Sequence, residues 1–275
     1  MKRIEIVVLI AFIVASCSQQ EISEVNIMSA EIKNNISILQ AHKIFFGHQS
    51  VGRNIMNGIK DILAQYPEYP LNLVAADQLP ADTSQPYFAD ANIGKNEKPF
   101  VKCDDYYNML MNKLGSNPDL ALMKFCYIDF NVNTNPQEVF AYYADKIKSI
   151  QEKYPGLKIV HVTVPLEARS AGWKRTIKQL IGKQEMTDLL NARREEYNNL
   201  LRQQYAEDSI FDLARIESTY PNGRREFFIM DGQENYSLIN AYTDDGAHLN
   251  KTGRRIAAIE LLKTLATALQ TGMTS

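Results

Sequence analysis

Cysteine is scarce in this chain, with three in 275 residues, and there is a single tryptophan. Three cysteines cannot make a disulfide framework, and no Cys-x-x-Cys or His/Cys cluster points to a structural zinc site. Excess charge is also missing. Thirty basic and 32 acidic residues leave a net charge of −2, so there is no electrostatic case for nucleic-acid binding. After the N-terminus no apolar run approaches the roughly 20 residues that a membrane span needs. The Gly-x-Ser-x-Gly elbow of α/β-hydrolases does not occur around the candidate serine below. An apolar fraction of 45% is that of an ordinary globular protein.

The first residues read as a targeting segment. Lys2 and Arg3 precede a short apolar run, which ends in Val14-Ala15-Ser16-Cys17. Small residues before a cysteine resemble the bacterial lipobox, in which cleavage leaves an acylated N-terminal cysteine. The expectation is a signal peptide over 1–16, lipidation at Cys17, a polar tether over 17–30 and one domain over 31–275. Of the remaining cysteines, Cys126 lies in an apolar run and reads as a small buried residue. A bond between Cys103 and Cys126 is left open.

From Lys43 onward the pattern alternates between strands and helices. Apolar strands are expected at 43–46, 71–76, 120–128, 157–164 and 210–213. Helices are expected at 51–65, 106–114, 136–154, 187–205 and 252–270, with Thr187 as the N-cap of the fourth. Residues 77–104 read as a long irregular loop, of a kind that is often functional. This alternation predicts an α/β fold: a single three-layer α/β/α domain on a five-stranded parallel sheet. Right-handed crossovers bring every strand's C-terminal end to one rim, where ligand sites lie in such sheets.

The polar candidates fall on the segments that reach this rim. Ser50 follows the first strand in Gly47-His48-Gln49-Ser50, where its hydroxyl either acts as a nucleophile or caps the next helix. His248 follows the last strand, with Asp245 three residues before it; Asp244 is a second possible partner. Asp-x-x-His places an acid where it can orient the imidazole through Nδ1. Candidate oxyanion donors are the N–H groups of Ser50 and Gly94 and an amide such as Asn96, Asn131 or Asn133. His48, Gln49, Asn96 and Trp173 are candidates for substrate contact. No metal or organic cofactor is implied.

These segments resemble the SGNH/GDSL hydrolase superfamily. Its members carry a nucleophilic serine after the first strand and an oxyanion glycine after the second. An oxyanion asparagine follows the third, and a closing Asp-x-x-His supplies acid and base. Gly47-His48-Gln49-Ser50 and Asp245-Gly246-Ala247-His248 stand for the first and last motifs, and Gly94 for the glycine. Asn191 to Asn198 and Ile210-Phe211-Asp212-Leu213 also resemble the family. The usual Gly-x-Asn-Asp is replaced by Cys126-Tyr127-Ile128-Asp129-Phe130-Asn131, with Asn131 as the stand-in donor. The resemblance implies a flavodoxin-like SGNH fold and a serine esterase with a Ser50–His248–Asp245 triad. Together with the lipobox it implies a glycan or small-ester substrate in the cell envelope and a membrane contact through the lipid. An inactive carbohydrate-binding lipoprotein and a sugar acyltransferase are the alternatives.

Overall fold

The structure is a computed structural model that describes residues 28–80, 84–114, 118–170, 185–207 and 209–271. The expected signal segment, Cys17 and Trp173 lie outside the described residues. The tether reading stops short of 30, because residues 28–39 are a helix, α1.

Six strands form one parallel sheet: β1 Lys43–His48, β2 Leu73–Ala75, β3 Tyr87–Asn92, β4 Leu120–Met123, β5 Lys158–Val162 and β6 Ile210–Phe211. Their spatial order is β2-β3-β1-β4-β5-β6. The expected five-stranded sheet is therefore corrected to six. The added strand is β3, in the segment read as irregular. Its sequence, Tyr-Phe-Ala-Asp-Ala-Asn, hides the strand because Asp90 and Asn92 interrupt the apolar pattern. Both carry out work at the rim, described below.

Helices α2 (Val51–Leu63), α3 (Pro99–Asn108), α4 (Pro136–Lys153), α5 (Met186–Gln204), α6 (Leu213–Ser218) and α7 (Lys251–Gln270) complete the main domain. A π-helical turn, Met109–Lys113, continues α3. Helix α5 begins at Met186 with Glu185 at the N-cap position, so Thr187 is not the cap. An antiparallel hairpin, β7 (Phe227–Met230) with β8 (Gln233–Tyr236), lies in the stretch before α7.

Strand periodicity divides the core in two. Ile44, Phe46, Leu120 and Leu122 pack with α1, α2 and α7, whereas Phe45, Ala121 and Met123 pack with α3, α4 and α5. With both faces covered, the central strands are mostly apolar: β4 is so throughout, and β1 is polar only at its ends, Lys43 and His48. This is a three-layer α/β/α domain.

The chain runs from β1 to one edge through β2 and β3, then crosses to the other side through β4, β5 and β6. The order reverses beside β1, and in open α/β sheets ligands bind where it reverses. Ser50 follows β1 directly.

Among the described residues no helix is long and apolar enough to cross a membrane, and no group of three or more His, Cys, Asp or Glu could hold a metal ion.

Candidate active site

Ser50 occupies the N-cap position of α2, yet its side chain makes no capping bond. Its Oγ lies 2.6 Å from His248 Nε2. The hydroxyl faces the imidazole and not the backbone of α2. The backbone at Ser50 has φ 43° and ψ −102°, a sparsely populated conformation for a residue with a side chain. Such strain, on the order of 1–3 kcal/mol, persists only where the surroundings enforce it.

Three contacts enforce it here. The Gln49 amide donates from Nε2 to the carbonyls of Ile93 and Gly94, both at 2.8 Å, tying the turn to the loop after β3. His48, 1% exposed, reaches Asp90 with Nε2 at 3.0 Å. Gly52 leaves room for that ring, since a Cβ there would lie 2.4 Å from His48 Cβ. Burial pushes the His48 imidazole below its ordinary range, partly opposed by Asp90. A neutral His48 then donates to the Asp90 carboxylate.

His48 and Gln49 were expected to contact substrate. The structure corrects both: His48 is buried under the turn, and the Gln49 amide is already committed to two carbonyls. Asn96 is likewise engaged, its Oδ1 accepting from Lys102 Nζ at 3.2 Å.

His248 sits in the loop before α7. Its Nδ1 is 2.7 Å from Asp245 Oδ2, and Asp245 Oδ1 accepts from the backbone N–H groups of Ala247 and His248 at 2.9 and 2.7 Å. The His248 N–H, then the Ala247 N–H and the imidazole, hold the Asp245 carboxyl well below the usual carboxylate range. Asp244 instead accepts from the Asn250 side chain at 3.3 Å. Of the two acids only Asp245 meets the ring. Gly246, at φ 89°, makes the turn between acid and histidine. The chain from Ser50 through His248 to Asp245 is continuous, and its two ends are 195 residues apart by numbering (245 − 50).

The oxyanion donors need correction. The Gly94 N–H donates to Asp105 Oδ2 at 2.9 Å, so it is not free to face a substrate. Asn131 closes a local turn, its Oδ1 accepting from Asn133 N at 2.9 Å. It lines a cavity of about 430 Å³ against Pro99, Phe100 and Val101, a lining that includes neither Ser50 nor His248. What remains is the start of α2. Among the described residues the N–H groups of Ser50 and Val51 have no hydrogen-bond acceptor. The helix continues for 13 residues behind them, and its positive end favours a developing negative charge.

Two further rim features escaped the sequence reading. Tyr127 stands edge-on to the His248 ring, with centroids 5.7 Å apart and planes at 79°. Its signal was present in the altered third segment, where a tyrosine replaces part of the expected motif. Behind that segment lies a fully buried ion pair, Lys102 Nζ to Asp129 Oδ2 at 2.5 Å. Asp129 also accepts from Cys126 N at 2.7 Å and Glu97 N at 2.9 Å, clamping the loops after β3 and β4 together. Cys103 and Cys126 are both free and buried. A second cavity of about 540 Å³ is lined by Arg53, Asp90 and Asn92; Arg53, one helical turn after Ser50, donates to Asn92 Oδ1 at 3.0 Å.

No protein-family model matches the chain, and no match was found among curated proteins. Among solved structures, the chain is similar to a GDSL-like lipase of Parabacteroides merdae at 12% identity. That match covers 84% of this chain and 97% of the other, with a TM-score of 0.48. An acetyl esterase variant with an acetate ion matches at 12% identity, 82% and 96% coverage and a TM-score of 0.46. A family 3 carbohydrate esterase of Talaromyces cellulolyticus matches at 13% identity, 82% and 96% coverage and a TM-score of 0.44.

Proposed function

We propose that the chain is a serine esterase that deacylates a glycan or small ester in the cell envelope, held to a membrane by a lipid on Cys17. The observation that carries the catalytic reading is the uninterrupted pair of contacts from Ser50 Oγ to His248 Nε2 and from His248 Nδ1 to Asp245.

In this reading His248 Nε2 accepts the Ser50 proton as Oγ attacks the ester carbonyl. Asp245 holds the ring in the tautomer that leaves Nε2 free to accept, and stabilises the imidazolium that forms. The N–H groups of Ser50 and Val51 receive the oxyanion at the start of α2. His248 returns the proton to the leaving alkoxide, and the acyl group stays on Ser50. Water, deprotonated by the same imidazole, then attacks the acyl-enzyme; the bond to Ser50 Oγ breaks as the imidazolium returns the proton to Oγ, and the acid is released. Every proton in this cycle passes through His248 Nε2, so no further acid or base is required.

The test is labelling of purified protein with a fluorophosphonate probe, beside hydrolysis of p-nitrophenyl acetate. Labelling and turnover that vanish in Ser50→Ala support the reading. A wild-type protein that neither labels nor exceeds Ser50→Ala in turnover rejects it. A non-catalytic binding role is the second reading, favoured by the diversion of the Gly94 N–H to Asp105. The lipid anchor has its own test: metabolic labelling with a radioactive fatty acid should be lost in Cys17→Ser.

A further inference from the structure

His248 must deliver a proton to the departing alkoxide, so the alcohol part of an ester lies on the His248 side of Ser50, away from the start of α2. Two polar groups, on residues next to the Asp245–His248 loop, have no part in the triad. The first is the Tyr127 hydroxyl, on the ring packed edge-on to the imidazole. Tyr127 is part-exposed, and its hydroxyl makes no hydrogen bond among the described residues. The second is the carboxylate of Glu167, on the segment after β5. Its Oε2 accepts from Arg194 Nη2 at 2.5 Å, and Oε1 has no described partner.

Both residues are tied to the same buried guanidinium, Tyr127 through its main-chain carbonyl and Glu167 through its carboxylate. Arg194, 1% exposed, donates from Nε to the Tyr127 carbonyl at 3.0 Å as well as from Nη2 to Glu167. The backbone of Glu167 is pinned by Asn191, which accepts from its N–H at 3.0 Å and donates to its carbonyl at 2.8 Å. The next residue, Ala168, donates to the Gly246 carbonyl at 2.7 Å and so joins this segment to the Asp245–His248 loop. Burial, then the Glu167 and Asp245 carboxylates, push the Tyr127 phenol above its ordinary range, so it remains a donor at neutral pH. A hydroxyl donor on a ring packed against the imidazole, with an anchored carboxylate that acts on the same phenol, matches an alcohol that offers one hydroxyl to both.

We propose that Tyr127 and Glu167 form a leaving-group subsite that selects esters whose alcohol carries a second hydroxyl beside the ester oxygen, as in a partly acylated sugar or polyol. This rests on the esterase reading above. The second hydroxyl donates to Glu167 Oε1 and accepts from the Tyr127 phenol. An alcohol without it leaves the carboxylate oxygen unsatisfied in the closed complex, which a site built for hydrogen bonding rejects.

The experiment compares kcat/KM for 1,2-cyclohexanediol monoacetate and 2-methoxycyclohexyl acetate, which differ in the one donor hydrogen. Wild-type protein should favour the diol ester by about 10-fold or more, the scale of one hydrogen bond to a charged group. Glu167→Gln should bring that ratio to within about threefold of unity, whereas Tyr127→Phe, which removes a donor that both substrate oxygens accept from, should slow both esters relative to cyclohexyl acetate. Tyr127→Phe keeps the ring against His248, and Glu167→Ala takes the place of Glu167→Gln if that variant disturbs the Arg194 pair and fails to fold. A wild-type ratio near unity, or a ratio unchanged in a folded Glu167 variant, overturns the subsite while leaving the esterase standing. A wild-type protein inert to both esters and to the fluorophosphonate overturns the esterase reading, and the subsite with it.

Discussion

Replacing Gly52 by alanine should both destabilise the protein and slow it. Gly52 lies in the first turn of α2, where intrinsic helix propensity favours alanine over glycine by about 1 kcal/mol. If the site had room, Gly52→Ala would raise stability. The added Cβ instead falls 2.4 Å from His48 Cβ, 2.5 Å from Cγ and 2.9 Å from Nδ1. Relieving this needs a shift of about 1 Å to reach ordinary van der Waals separation. His48 cannot readily yield, because its ring lies 4.6 Å from the Phe46 ring and its Nε2 is held by Asp90. Overpacking of this kind costs about 1–3 kcal/mol, and in a chain of this size each kcal/mol lowers Tm by about 2–4 °C. The strain passes to Ser50, one residue beyond Gln49, and a nucleophile misplaced by about 1 Å loses on the order of 100-fold in rate. Thermal melts followed by circular dichroism, with kcat/KM for p-nitrophenyl acetate, give both readouts. A variant that melts at or above the wild-type temperature and retains activity within about twofold would refute the reasoning. The expected loss on this scale is about 2.7 kcal/mol of transition-state stabilisation.

Asp245→Asn should lower kcat by about 100- to 10,000-fold, because an amide no longer fixes the imidazole tautomer, while Asp244→Asn stays within about threefold; steady-state kinetics on one ester separates the two acids. Glu217 is buried and bonded to the Leu166 N–H, and burial raises its carboxyl to about 8. The folded state therefore keeps a proton that the unfolded chain releases above about pH 4.3, so this residue's contribution to stability is full below that pH and declines until about pH 8. Glu217→Gln should accordingly match wild type in urea melts at pH 4 and exceed it increasingly towards pH 8, by up to about 1.4 kcal/mol per pH unit; a difference that does not change with pH contradicts this. Lys102→Met leaves the buried Asp129 carboxylate without its cation, which should cost about 3–5 kcal/mol in denaturant melts. The double replacement Lys102→Met with Asp129→Leu should recover part of that loss.

The fold class was legible because burial on both faces writes itself into composition. Leu120 to Met123 and the apolar core of β1 admit no other reading once helical segments alternate with them. β3 was not legible, since Asp90 and Asn92 spend two of its six positions on rim contacts with His48 and Arg53. A strand that serves a site loses the pattern by which strands are recognised. The same conflict hid the roles of His48 and Gln49. Their residue types suit substrate contact as well as they suit bracing, and only packing tells the two apart.

The sequence by itself determined the alternating α/β pattern, the Ser50 turn at the end of the first strand and the Asp-x-x-His spacing, because these are local: periodicity, turn chemistry and a three-residue separation. The tertiary structure decided the rest. It set Ser50 Oγ against His248 Nε2 across most of the chain, chose Asp245 over Asp244, and turned the Gly94 N–H towards Asp105. It also packed Tyr127 against the imidazole and tied Tyr127 and Glu167 to one buried arginine. Hydrogen bonds depend on direction as well as proximity, and the direction of an N–H or a carboxylate is fixed by how the whole chain packs around it.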